Sequence, residues 1–193
     1  VITRCDITSI VTELNLIPLI EQNDPMKAED FVRMMEKYLH FATRLQSPHF
    51  MAHQVAPPHP ASAWADALHG FTNNGHATSE MGAQAIAVEV TVIKWMLRQI
   101  GWTKGGGQLV HGGSLSNLTA LLAARAAKFP NAWAQGISQR AILLAPQTSH
   151  YCVHRSAGIM GLGTANVWPI GVDDLGRVSI ADLERQLIEA KHK

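Results

Sequence analysis

The stretch His111 to Arg125, HGGSLSNLTALLAAR, carries the residue types best suited to chemistry in this chain. A short apolar run ending in Gln108-Leu109-Val110 reads as a strand. Two glycines and two serines then open an amphipathic helix. Such a turn brings bare backbone N–H groups and hydroxyls to a helix N-terminus, where the dipole favours an anion such as phosphate. A second strand, Ala141 to Ala145, runs into Gln147-Thr148-Ser149-His150-Tyr151. Two strand ends then deliver a phosphate cradle and an imidazole to one edge of a sheet, an arrangement suited to a phosphorylated planar cofactor. Gly112-Gly113-Ser114 could also be a tight strand-to-helix connection without a ligand. It is not a P-loop, which needs Gly-Lys-Ser/Thr. The glycine spacing also fails the dinucleotide fingerprint. His150 and His154 stand at i, i+4 like a metal pair, but no third ligand is placed to complete the set, so no metal is expected.

The elements that must position these groups follow from periodicity and punctuation. Ile7 to Gln22 reads as a helix broken or bent near Pro18. Asp24-Pro25 reads as a helix start. Phe31, Met34, Met35, Tyr38, Ala42 and Leu45 continue that helix to Gln46, and Ser47-Pro48 stops it. His49 to Pro60, with three prolines and three histidines, is a loop. A helix from Ala61 to Phe71, a polar turn at Thr72 to Gly75 and a helix from Glu80 to Ile100 follow. Met81, Ala85, Val88, Val92, Trp95 and Met96 line one side of that last helix, as core or dimer interface. Asn74 and Glu80 serve either to cap it or to line a pocket. Gly101 and Lys104 to Gly107 end it. From there the rhythm is strand, helix, strand, helix, strand, helix, with a third strand at Asn166 to Ile170 and a final helix from Ser179 to Ala190. This predicts an α/β layer with parallel strands. A helical N-terminal arm (1–60) precedes the α/β part (61–193). Three strands are few for such a sheet, which reads as incomplete.

Composition narrows the classes. A formal net charge of +1 gives no reason to expect nucleic acid or an acidic membrane surface as partner. No apolar run is long enough to span a bilayer, and the start lacks a signal-peptide pattern. Cys5 and Cys152, far apart, make no disulfide framework, which favours the cytoplasm.

Several pieces, in order, resemble the pyridoxal-phosphate-dependent amino-acid decarboxylases of the glutamate and aromatic amino-acid group. They are Ser47-Pro48-His49-Phe50-Met51, Asn73-Asn74, Glu80-Met81-Gly82, Gly112 to Leu118, Ser149-His150-Tyr151 and Gly161 to Val167. The resemblance covers the chain from about Asp24 to Lys193. It implies an aminotransferase-like large-domain sheet, pyridoxal 5'-phosphate as cofactor, an amino-acid substrate and a homodimer. It implies that Gly113 and Ser114 lie against the cofactor phosphate. It further implies that His150 stacks on the pyridine ring and helps protonate the reacting carbon, and that the loop from His53 to Ala56 lines the substrate pocket. The aromatic-substrate enzymes carry an aromatic pair where this chain has His53 and Gln54. A small polar or acidic amino acid, or a diamino acid, suits His53, Gln54 and Asn74 better.

Departures from the family are Ser47 where His usually precedes Pro, and Ala83 where Pro is common. The family's ring-nitrogen aspartate and covalent lysine match nothing in this chain. Lys27, Lys37, Lys94, Lys104, Lys128, Lys191 and Lys193 all lie outside the family's lysine context. The chain therefore reads as the N-terminal portion of a carboxy-lyase, inactive alone. Two alternatives stand beside this: a non-catalytic binding or dimerisation subunit whose partner supplies the lysine, and another lyase reaction on the same scaffold.

Overall fold

A computed structural model describes residues 6–15, 25–51 and 55–192. The chain divides into two compact units, residues 1–73 and 74–193.

The first unit is helical. Helix α1 (Ile7–Leu14) starts on Asp6, whose carboxylate accepts the Thr8 N–H at 3.1 Å, and ends on Asn15 in the left-handed region. The expected continuation to Gln22 falls largely outside the described residues. Helix α2 (Ala28–Phe41) begins three residues later than Pro25 suggested, on Lys27, with Glu29 and Asp30 favourably placed in its first turn. It stops at Phe41 rather than Gln46. Ala42 turns extended, and Leu45 and Ser47 close tight turns onto Thr43 and Arg44, so helical spacing outlasts the helix itself. Helix α3 (Pro60–Thr72) has Pro60 at its start and is capped by His59, whose Nδ1 accepts the Ala61 N–H at 3.2 Å.

The second unit holds helix α4 (Ser79–Gln99), helix α5 (Gly112–Lys128), the short α6 (Ala132–Gln135), strand β1 (Leu143–Pro146), helix α7 (Cys152–Ile159), strand β2 (Val167–Ile170) and helix α8 (Ile180–Lys191). The strands pair in parallel, Leu143 opposite Val167 and Pro146 opposite Ile170, as the alternation predicted. Ala145, Ala157 and Val167 form the buried centre where α7 packs on the sheet, with Leu143, Val153 and Leu162 around it.

The expected strand at Gln108–Val110 does not form. The chain there runs extended and antiparallel along α4. A Cβ at Gly105 would lie 3.9 Å from Leu97, and one at Gly107 would lie 3.4 Å from Ile93. The Leu109 N–H donates to Glu89 Oε1 at 2.7 Å. Two extended residues advance about 6.6 Å while four helical residues advance about 6 Å, so the two run in step. The backbone that an apolar run would offer to a ladder is here committed to a helix.

Strand β2 has its outer side closed by α8. The Ile170 carbonyl accepts the Gln147 N–H on the β1 side at 2.9 Å, so its neighbour Pro169 faces away. Proline has no N–H to lose there, and its carbonyl is taken by Gln186 Nε2 at 2.5 Å. Asp182 of α8 accepts the Gly171 N–H at 2.7 Å. That bond, and then the Arg185 guanidinium, hold the Asp182 carboxyl below its ordinary value. A depressed carboxyl stabilises the fold above the unfolded value of about pH 4, and the contribution fades as pH falls through the lower folded value. Asp182→Ala should therefore lower the unfolding temperature at pH 6, and the difference from wild type should narrow as pH falls below about 4. A difference that is constant or widens with acid in thermal unfolding would contradict this.

Candidate active site

The N-terminus of α5 is open. Its cap residue, His111, makes no side-chain hydrogen bond to the first turn. Gly112 sits at φ +78°, a conformation that a side chain would strain, and this swings the chain from its extended run into the helix. No atom lies within 4 Å of where a Cβ would stand on Gly112 or Gly113. Gly113 and Ser114 are exposed. An uncapped first turn leaves its N–H groups without a side-chain partner at the positive end of the dipole, a setting for an anion.

His150 follows β1. The Ser149 N–H closes a turn onto the Pro146 carbonyl at 2.8 Å, and α7 begins two residues later. The ring of His150 is exposed, lies 4.1 Å from the Tyr151 ring at a tilt of 35°, and accepts the Cys152 N–H on Nδ1 at 3.2 Å. An accepting Nδ1 places the proton of the neutral imidazole on Nε2. Arg155 covers Tyr151, its guanidinium 4.6 Å from the ring centre.

One contact ties these two pieces together. Asn117 Nδ2 donates to Cys152 Sγ at 3.1 Å, and Cys152 is 2% exposed. Asn117 lies one turn after Ser114 on the same face of α5. Cys152 lies two residues after His150. The glycine turn and the imidazole are thus held within about a helical turn of one shared, half-buried contact. Asn117 belongs to the Gly112 to Leu118 motif but was given no role in the sequence, although its i+3 spacing from Ser114 was visible. Cys152, expected to pack rather than react, is a buried acceptor.

Asn74 precedes α4, where its Oδ1 accepts from Gln84 Nε2 at 2.5 Å. His53 and Gln54 lie outside the described residues. Glu80 stands in the first turn of α4, its carboxyl held below its usual value by its own backbone N–H and by the Thr78 hydroxyl, the behaviour of a helix-start residue. Among the described residues no three of His, Cys, Asp and Glu gather as a metal would require. A cavity of about 290 Å³ opens between Leu121, Arg125, Arg140 and Leu162. It belongs to the far half of α5, about 12 to 18 Å along the helix from Gly113, and takes no part in this site.

Comparison with known proteins identifies the family. The model of the pyridoxal-dependent decarboxylase conserved domain matches residues 12–193. A mouse acidic amino acid decarboxylase is 29% identical over 177 residues, which are 90% of this chain and 32% of the relative. Mouse cysteine sulfinic acid decarboxylase is 27% identical over 180 residues, 91% of this chain and 36% of the relative. The crystal structure of mouse CSAD superposes with a TM-score of 0.89 at 25% identity, covering 97% of this chain and 39% of that one. The glutamate decarboxylase domain of a Vibrio parahaemolyticus diaminobutyrate enzyme gives 0.85 at 26% identity, covering 97% and 43%. The chain thus spans about a third of the length of the curated relatives it matches. With the open glycine turn and the imidazole held on one α/β scaffold, and the family model running over nearly its whole length, the chain belongs to the pyridoxal-dependent decarboxylases, whose cofactor is pyridoxal 5'-phosphate.

Proposed function

We propose that this chain supplies the phosphate- and ring-contacting part of an amino-acid decarboxylase site, acting on a non-aromatic and preferably acidic substrate. The observation that carries this reading is the Asn117–Cys152 contact, which holds the open turn and His150 together in a member of this family. The residues present fit the cofactor: the space over Gly112 and Gly113 is clear, and no side chain caps the turn.

Pyridoxal phosphate supplies the electron sink that accepts the pair left when the carboxylate departs as CO₂. The Gly113 and Ser114 N–H groups and the Ser114 hydroxyl bind the phosphate. His150 covers the ring and holds a proton on Nε2 for the reacting carbon. His53, Gln54 and Asn74 are the substrate residues that the family resemblance implies, and their polar side chains suit the acidic and sulfinic amino acids named for the mouse relatives. A lysine for covalent attachment matches no position here. No helix among the described residues is long and apolar enough to cross a membrane; the cytoplasm remains the location suggested by the two widely spaced cysteines.

We also propose a homodimer. Val88, Trp95, Met96 and Ile100 of α4 are exposed, and a second copy is the partner that would cover them. Sedimentation should show a dimer that Trp95→Glu weakens; a monomer at micromolar concentration would contradict it.

Two further measurements bear on the site. Gly113→Asp adds a charge that favours a helix N-terminus by about 0.3–1 kcal/mol but repels a phosphate beside it. It should raise thermal stability slightly and lower pyridoxal-phosphate affinity about tenfold or more. An affinity equal to wild type would remove Gly113 from the phosphate site. CO₂ release from aspartate, glutamate, cysteine sulfinate and an aromatic amino acid tests the reaction in the active protein. His150→Ala should cut the rate about 10²- to 10⁴-fold; a normal rate and cofactor spectrum would sink the role of His150.

A further inference from the structure

The phosphate turn is approached by a segment that makes no sheet, so something else must hold it still. We propose that the Glu89 carboxylate is the positioning group of that turn, acting through the backbone of Leu109. The inference rests on reading the turn at Gly112 to Ser114 as the phosphate site.

The geometry is specific. Gly105, Gly107 and Leu109 meet Leu97, Ile93 and Glu89 in succession, two residues of chain to each helical turn. The first two steps are apolar contacts along α4 and permit sliding. The third is a charge-assisted hydrogen bond of 2.7 Å across twenty residues of sequence, which has a direction and fixes the register. Leu109 is three residues from Gly112, so a slip at Glu89 passes into the turn with little chain to absorb it. Glu89 is itself anchored in the middle of α4 (Ser79–Gln99), and its side chain is only 18% exposed, which limits competition from water. His76 Nδ1 lies 3.9 Å from the other carboxylate oxygen, beyond hydrogen-bond range and half exposed, so it adds little to the hold. The carboxylate accepts from the backbone at Leu109, three residues before Gly112, and no side chain of the cap residue takes the first N–H groups of α5.

Glu89→Ala and Glu89→Gln in the full chain separate this role from simple packing. Glutamine keeps an oxygen acceptor for the Leu109 N–H and alanine does not. Amide exchange at Leu109 should accelerate about tenfold or more in Glu89→Ala and stay near wild type in Glu89→Gln. Affinity for pyridoxal 5'-phosphate should fall about five- to tenfold in Glu89→Ala, with phosphate-free pyridoxal unaffected and Glu89→Gln within about twofold of wild type. Unchanged Leu109 exchange in Glu89→Ala would overturn the tether. Faster exchange with unchanged pyridoxal-phosphate affinity would overturn its role in the site. A wild-type chain that fails to prefer pyridoxal phosphate over pyridoxal would instead overturn the phosphate reading, and the role of Glu89 in the site with it.

Discussion

The second unit depends on how closely α7 lies against its two parallel strands. Ala157 has no exposed surface and meets Ala145 and Val167, so small side chains set the distance between helix and sheet. Close packing of this kind does not yield by fractions of a methyl group. The start of α7 is therefore fixed in space, and two things hang from it. Buried Cys152 receives Asn117 from α5, and the Cys152 N–H holds the ring of His150. A larger residue at position 157 would lift α7 and spoil both arrangements together.

The proposed site relies on backbone rather than on formal charge. The net charge of the chain is +1, and neither the turn from Gly112 to Ser114 nor the loop from Gln147 to His150 contains lysine or arginine. Unpaired N–H groups and the helix dipole act over short range and favour a compact anion placed on the axis. The neutral imidazole is likewise set by a backbone donor, which leaves Nε2 as its proton carrier. Glu89, the carboxylate near this region, spends its charge on the backbone leading to the turn.

Much of this was legible in sequence because local punctuation and tertiary demand agreed. The glycines before α5, the strands near Leu143 and Val167 and the last helix all fall where periodicity placed them. The error at Gln108–Val110 has a physical cause. An apolar extended run reads the same whether it pairs with a strand or lies along a helix, and the partner, Glu89, is twenty residues away. The end of α2 was misjudged for a related reason, since Ala42 and Leu45 keep helical spacing while the backbone has already left the helix. The role of Asn117, a residue of the Gly112 to Leu118 motif, was missed because an amide in a helix start suggests solvent; its buried sulfur partner is a tertiary fact.

The central claim is that the turn at Gly113 and Ser114 and the imidazole of His150 serve one ligand. Backbone and side-chain NMR of the chain titrated with pyridoxal 5'-phosphate tests it most directly. The Gly113 and Ser114 amides and the His150 ring signals should shift together, along curves that give the same dissociation constant. Shifts confined to one of the two places, or two separate dissociation constants, would show that the turn and the imidazole do not form one site.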